Sequence, residues 1–385
     1  MTKLYNTQTD IVKNISKFLI KSMPNIRKTQ LKIIPNIIFG MIVSESVCSS
    51  DLAKKLKDDF SLVQLESVTK RIKRFYKNKL FNPYDFYDSI IKEVISSFKS
   101  KHSDNRVHIA FDHMFSHNNY IVFMITMRIG KQGIPLWFRC FNYDDFSSAS
   151  RESLLIQGIS YVSSLFDDSY NLIFLADRWF NSVSLMKFID KLGHTFCIRV
   201  KRNIKVLIYD KKEKHDIWKF LSTIKPYVYH SSWYENVGFT DENFIVNLAI
   251  SQKNGTDDPW IIVTNGNVKR AIRDYGYRFG AIETVFKNQK SNGLYLEKTV
   301  KADIKYFTSM YALVCFTVLF LTIIGADFST NTRCYRFVKI TTHKTINGKK
   351  TRIMSLFNVG LTLFNRAHNS LKYIRIPFNF KLYDI

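Results

Sequence analysis

Disulfide chemistry has little to work with in this chain. The five cysteines, Cys48, Cys140, Cys197, Cys315 and Cys334, stand far apart and form no CxxC pair. An odd, scattered set argues against a disulfide framework or a zinc module and fits a reducing cytosol. Acid is scarce too: 32 Asp and Glu face 57 Lys and Arg, a net +25 spread along the whole chain rather than held in a tail. Such a balance suits a polyanionic partner, because each neutralised phosphate releases counterions. An anionic membrane surface is the competing attraction. The seven prolines gather into no linker, and there is no internal repeat or low-complexity tract. The opening MTKLYNTQTDIVKNI lacks a continuous apolar core and a small-residue cleavage site, so no secretory signal is expected.

Apolar residues are abundant. At 46% hydrophobic and 15% aromatic, the 385 residues can bury a sizeable core in one large domain or two to three smaller ones. Residues 306–326 form an uncharged run of 21, long enough to cross a bilayer. Three Thr and one Ser interrupt it, and Asp303, Lys305 and Asp327 flank it closely. The expectation is a core helix buried on all sides, with a membrane-anchored basic protein as the alternative.

Residues 1–104 read as helical, with apolar positions at helical spacing in TQTDIVKNISKFLIKSM and LKIIPNIIFGMIVS. A short segment capped by Ser49-Ser50-Asp51 precedes a basic one carrying Lys70, Arg71, Lys73 and Arg74, beside Phe75 and Tyr76. The pair resembles a helix-turn-helix able to touch DNA backbone; a solvated basic helix packed on its neighbour reads the same way. From Arg106 the period changes to two. RVHIAFD, NYIVFMITMRIG and QGIPLWFRCF read as strands, the last two joined by a hairpin signal. A helix, the strand YNLIFLA ending at Asp177, a second helix and the strand TFCIRVK follow. The order β-β-β-α-β-α-β is that of a ribonuclease H-like α/β core, a mixed sheet flanked by helices. Residues 202–265 then read as a β-rich insertion, with helical signals resuming beyond it.

In such a core, acids ending the first and fourth strands fall side by side, since adjacent strands lie about 5 Å apart. Asp112 and Asp177 hold those positions, and Glu283 is the best candidate for a third acid from a returning helix. Three carboxylates can hold two Mg²⁺ ions about 3.5–4 Å apart, one activating water or a 3′-hydroxyl and the other steadying the leaving oxygen. On an uninterrupted helix, Lys287 and Lys290 border Glu283 while Phe279, Ile282 and Phe286 form an apolar flank. Taken singly, each Asp could be a turn or cap residue, and Glu283 could be an i,i+4 partner of Lys287.

FLADRWFNSVSLMKFIDKLGHTFCIRVKRN and YGYRFGAIETVFKNQKSNGLYLEKT, together with the TRIMSLFNVGL tail, resemble bacterial insertion-sequence DDE transposases of the Tyr-Arg-Glu-Lys signature group, the insertion-sequence-four family. The resemblance implies that Asp112, Asp177 and Glu283 are the catalytic, metal-binding acids, with two Mg²⁺ ions for which Mn²⁺ can substitute. It implies that Tyr275, Arg278 and Lys290 support the DNA end near the cut. Four residues separate Arg278 from Glu283 where the signature has three. The family's β-rich insertion often carries an aromatic that stacks on a flipped base; Trp218 and Trp233 are candidates, while Trp260 is expected to pack in the core. The implied activity is cut-and-paste transposition at terminal inverted repeats, by a homodimer on double-stranded DNA in a bacterial cytoplasm, associated with the nucleoid and not with a membrane. The expected layout is a DNA-binding region over 1–104, a catalytic core split over 105–201 and 266–340, the insertion over 202–265 and a basic helical tail over 341–385. A repurposed relative that binds DNA without cutting, and a nuclease directed by DNA structure, remain the alternatives.

Overall fold

Five helices open the chain in the computed structural model, which describes residues 8–56, 64–99, 104–116, 119–145, 148–210, 213–224, 230–252, 258–298, 303–330, 343–346, 349–352 and 354–369. They are α1 (Gln8–Ser22), α2 (Lys28–Ser44), α3 (Ser49–Leu56), α4 (Leu65–Tyr76) and α5 (Pro83–Ile95). Start signals are explicit at α5, where the Asn82 side chain accepts from the backbone N–H groups of Tyr84 and Asp85, and Pro83 occupies the first turn. In α4 the apolar stripe Val68, Ile72, Phe75 and Tyr76 is buried, which leaves Lys70, Arg71, Lys73 and Arg74 on the exposed side.

A ten-stranded sheet forms the centre. Its first part is β1 (Arg106–Ser116), β2 (Tyr120–Ile129), β3 (Gln132–Asn142), then α6 (Ser148–Ser163), β4 (Asn171–Ala176), α7 (Val183–Lys191) and β5 (Thr195–Arg199). This is the succession expected from the change in hydrophobic period. β1, β2 and β3 pair antiparallel, whereas β4 runs parallel to β1 and β5 parallel to β4. Both faces are covered, so β2 reads as an almost unbroken apolar run.

The stretch 202–265 forms no sheet of its own. Its strands are β6 (Lys205–Asp210), β7 (His215–Phe220), β8 (Ser231–Phe239), β9 (Phe244–Ser251) and β10 (Trp260–Thr264). They extend the first five in the order β3-β2-β1-β4-β5-β10-β9-β8-β6-β7, with β10 antiparallel to β5. An exposed edge at β5 would invite pairing with another chain, and the added strands remove it. β7 escapes the sequence reading because its residues are mostly exposed and polar.

Beyond the sheet come α8 (Val268–Arg278), a π-helical turn (Phe279–Glu283), α9 (Thr284–Lys290) and α10 (Ile304–Thr330). The π turn presses on the start of β3, where a Cβ on Gly133 would stand 1.5 Å from the Ala281 carbonyl oxygen. Only glycine admits that approach. α10 contains a 25-residue stretch apolar enough for a membrane span, but its most apolar window is completely buried inside the fold. Within it Thr317 donates to the Leu313 carbonyl and Tyr311 to Gln289 Oε1, while the buried Ser309 and Thr322 hydroxyls have no hydrogen-bond partner among the described residues. The hairpin β11 (His343–Ile346) and β12 (Lys349–Arg352) leads to α11 (Leu356–Asn369), which packs along α10. Cys334 and the end of the basic tail, 370–385, lie outside the described residues.

Gly325 of α10 and Gly360 of α11 let the two backbones meet: a Cβ at either would come within 1.9 Å of a carbonyl oxygen on the other helix. Gly360→Ala should therefore cost about 1–3 kcal/mol through overpacking. Gly276→Ala, where the nearest atom is a Trp260 ring carbon at 3.7 Å, should cost nothing and gain helix propensity. Urea denaturation of the two variants checks the contrast, and equal stabilities would rule out a tight helix crossing.

Candidate active site

Strand register brings the first two acids together. Ala110 pairs with Leu175, two residues before Asp112 and Asp177, so both acids reach the same end of the sheet on adjoining strands. Ala176 in turn pairs with Ile198, which sets Arg199 beside Asp177. β10 runs the other way, with Ile262 opposite Arg199, and so Asp258 arrives at this end from the opposite direction. Asp177 is held by the turn it begins: its Oδ1 accepts from the Arg178 backbone N–H at 2.6 Å. Asp112 Oδ1 accepts from the His113 backbone N–H at 2.8 Å.

Glu283 closes the π turn, and Arg278 ties it to the strands. The Arg278 guanidinium donates through Nη1 to Glu283 Oε1 at 3.1 Å and through Nη2 to Asp112 Oδ2. Residues five apart diverge by about 140° on a regular α-helix. Widening the turn to π geometry takes up one additional residue, and Arg278 and Glu283 then share a face. The fourth residue between Arg278 and Glu283 is thus absorbed in the backbone.

Burial dominates the electrostatics. It pushes the Asp112 carboxyl above its ordinary range; Arg278 opposes the shift and Asp177 adds to it. Glu283 is pushed up for the same reason, again opposed by Arg278 and reinforced by the two aspartates. Burial also lowers His113, partly offset by Asp112. Tyr275 is pushed up to about 12 by burial, with Arg199 hydrogen-bonded to its hydroxyl.

The expected DNA-contact residues divide. Arg278 (4% exposed) and Tyr275 (1%) are buried against the site, and neither offers a surface to a duplex. Lys287 is exposed one turn beyond Glu283. Lys290 donates to the Phe115 carbonyl at 2.8 Å and pairs with Glu297 at 3.4 Å. On α4, Lys70 pairs with Glu66 at 2.7 Å, and Arg71, Lys73 and Arg74 share its exposed side. Trp218 and Trp233 are exposed on the added strands. Trp260 is partly buried, stacked on Phe279 at 5.5 Å.

Several neighbours of the acids escaped the sequence reading. Trp179, 58% exposed and two residues after Asp177, meets the His113 ring at 5.4 Å and has the Arg151 guanidinium over its face at 5.1 Å. Arg178 and Arg199 both pair with Asp258. For Trp179 and Arg178 the signal was adjacency to Asp177; for Arg199, its place at the end of the next strand. Among the described residues, no three His, Cys, Asp or Glu side chains are drawn together closely enough to hold a metal ion. The neutralising cation between Asp112 and Glu283 is the Arg278 guanidinium itself.

Arg278→Met should lower stability at neutral pH by about 3 kcal/mol, by leaving Asp112 buried without its counter-charge. The folded-state pKa of Asp112 lies above its unfolded value and should rise further in this variant. A raised carboxyl stabilises the fold most when protonated and loses that contribution as pH rises through the folded pKa. The deficit should therefore be smallest near about pH 4 and grow toward about pH 7. Denaturant titration at both pH values checks this; a pH-independent deficit would mean that Arg278 serves packing alone.

No family model matches the sequence, and no curated protein matches it. Among solved structures, a cryo-EM structure of a piggyBac transposase synaptic complex with hairpin DNA is similar at 11% identity, with a TM-score of 0.49, over 94% of this chain and 78% of that one.

Proposed function

We propose that the chain is a DNA transposase of the DDE type, built on a ribonuclease H-like core and acting by cut-and-paste at the terminal inverted repeats of a bacterial insertion sequence of the insertion-sequence-four family. The observation that carries the reading is the meeting of Asp112 and Asp177 on adjoining strands with Glu283, which Arg278 ties to Asp112; Asp177 adds to the raised proton affinity of both other acids. The strand order β3-β2-β1-β4-β5, with its one change from antiparallel to parallel pairing at β1, supports the fold assignment. The net +25 supports a nucleic-acid partner.

The donor set fits a hard divalent ion, because all three candidate ligands are carboxylates. Two Mg²⁺ ions, or Mn²⁺ in their place, would supply activation of the attacking water or 3′-hydroxyl and neutralisation of the leaving oxygen. Asp112, Asp177 and Glu283 would hold them, and Arg278 would first have to release at least one carboxylate. Until then Arg278 holds Asp112 and Glu283 together. Lys287, exposed on the turn after Glu283, would meet a phosphate of the strand being cut. The basic side of α4 would hold flanking DNA backbone through sequence-independent contacts. Strand transfer requires two ends at once, hence a homodimer on DNA, in the bacterial cytoplasm with the nucleoid.

A second reading, DNA binding without cleavage, draws on the same guanidinium: its bridge between Asp112 and Glu283 suits a protein that never loads metal. Glu283→Gln separates the two. On DNA carrying the element's own ends, in Mg²⁺, the unsubstituted protein should nick and E283Q should not, while E283Q retains binding because it leaves the Arg278–Asp112 pair intact. Nicking by E283Q would remove Glu283 from the site, and binding without nicking by the unsubstituted protein would favour the second reading.

A further inference from the structure

Beside the acids, a single carboxylate holds two arginines. Asp258 Oδ2 lies 2.7 Å from Arg199 Nη2 and 3.2 Å from Arg178 Nη2. We propose that Arg178 and Arg199 form a binding site for a phosphate group, and that Asp258 occupies it as an intramolecular competitor until a nucleic-acid phosphodiester displaces it. The inference rests on the functional reading above and adds to it a ligand group and a regulating residue.

The geometry favours a shared anion site over an incidental ion pair. Arg199 is pinned at the end of β5: it donates to the Pro259 carbonyl at 3.3 Å and is hydrogen-bonded to the Tyr275 hydroxyl. Its side chain is only 13% exposed, so it cannot swing away when Asp258 leaves. Arg178 directly follows Asp177 and donates its backbone N–H to that carboxylate, so its backbone lies at the acid end of the sheet. Both guanidiniums meet one carboxylate oxygen, whereas the two non-bridging oxygens of a phosphodiester offer each guanidinium an acceptor of its own in the forked geometry that arginine recognises. Asp258 is 50% exposed and Arg178 42%, and half-exposed pairs are weak and screened by salt. Such a contact yields readily to a polyanion and discourages stray anions from the acid cluster.

The test is equilibrium binding of fluorescein-labelled duplex DNA to the full chain across a salt series without divalent metal. Asp258→Asn should bind several-fold tighter, with the slope of log K against log salt steeper by about one, as for one further phosphate neutralised. Asp167→Asn makes the same charge change before β4, at the opposite end of the strand from Asp177, and should leave both quantities unchanged. The double variant D258N/R178Q should lose the gain. Inorganic phosphate, added as a competitor, should weaken D258N binding more than chloride of equal ionic strength if the pair accepts any phosphate, and equally if it needs the DNA strand. Either result supports the site and identifies its source of phosphate. Unchanged affinity in D258N, or a gain shared by D167N or surviving R178Q, would overturn the proposal. Nicking of end-bearing DNA by D258N in Mg²⁺ distinguishes that failure from a failure of the functional reading, and thermal melts confirm that each variant is folded.

Discussion

One guanidinium among three carboxylates sets the terms for the rest of this structure. Arg278 bridges Asp112 on β1 and Glu283 on the π turn, and the sheet supplies Asp177 alongside. Without that charge, acids on adjoining strands about 5 Å apart would repel one another in a partly buried setting where water screens them poorly. The raised carboxyls of Asp112 and Glu283 show that burial already outweighs the attraction. The site therefore holds crowded negative charge, which the protein balances with the Arg278 side chain.

Helix α8 serves two charged centres on one face of the sheet. One turn before its end, Asp274 accepts from Arg106 at 2.5 Å and faces His108 at 3.3 Å; at its end, Arg278 reaches Asp112. The first pairing is well buried, with Asp274 held below its ordinary range by His108 and Arg106 against the opposing effect of burial. It fastens the helix across β1, so that Arg278 is delivered at a fixed height over the strand. The π turn follows immediately and is held against β3 by the close approach at Gly133. Backbone irregularity at this point is consistent with a site whose positioning takes precedence over regular helix geometry.

Much of this was legible in the chain. Alternation in RVHIAFD and the apolar run YNLIFLA marked two strands, and the change from helical to strand period at Arg106 placed the sheet. Asp177 does follow its strand, but β1 runs on past Asp112 to Ser116 because its pairing with β2 continues. Glu283 stood out as a lone acid in a basic stretch. The role of Arg278 was not legible, because a wheel drawn on a continuous α-helix turns residues 278 and 283 apart; only the tertiary contact with β3 fixes the wider turn. Asp258 and Arg199 are separated by 58 residues of added strands, and nothing local signals that β10 returns antiparallel to β5. The 202–265 stretch was read as strands from its residues, but its joining to the edge of the first five is a matter of long-range hydrogen bonding.

By itself, then, the sequence determined most of the helix and strand segments, the presence of the three acids among them, and a positive charge suited to a polyanion, because periodicity, turn residues and charge are local properties. Tertiary structure alone decided that residues 306–326 are enclosed rather than exposed, that the π turn folds Arg278 back onto Glu283, and that Asp258 faces two arginines. Each of those outcomes depends on which surfaces meet across long separations in the chain, and burial, register and desolvation exist only once those surfaces have met.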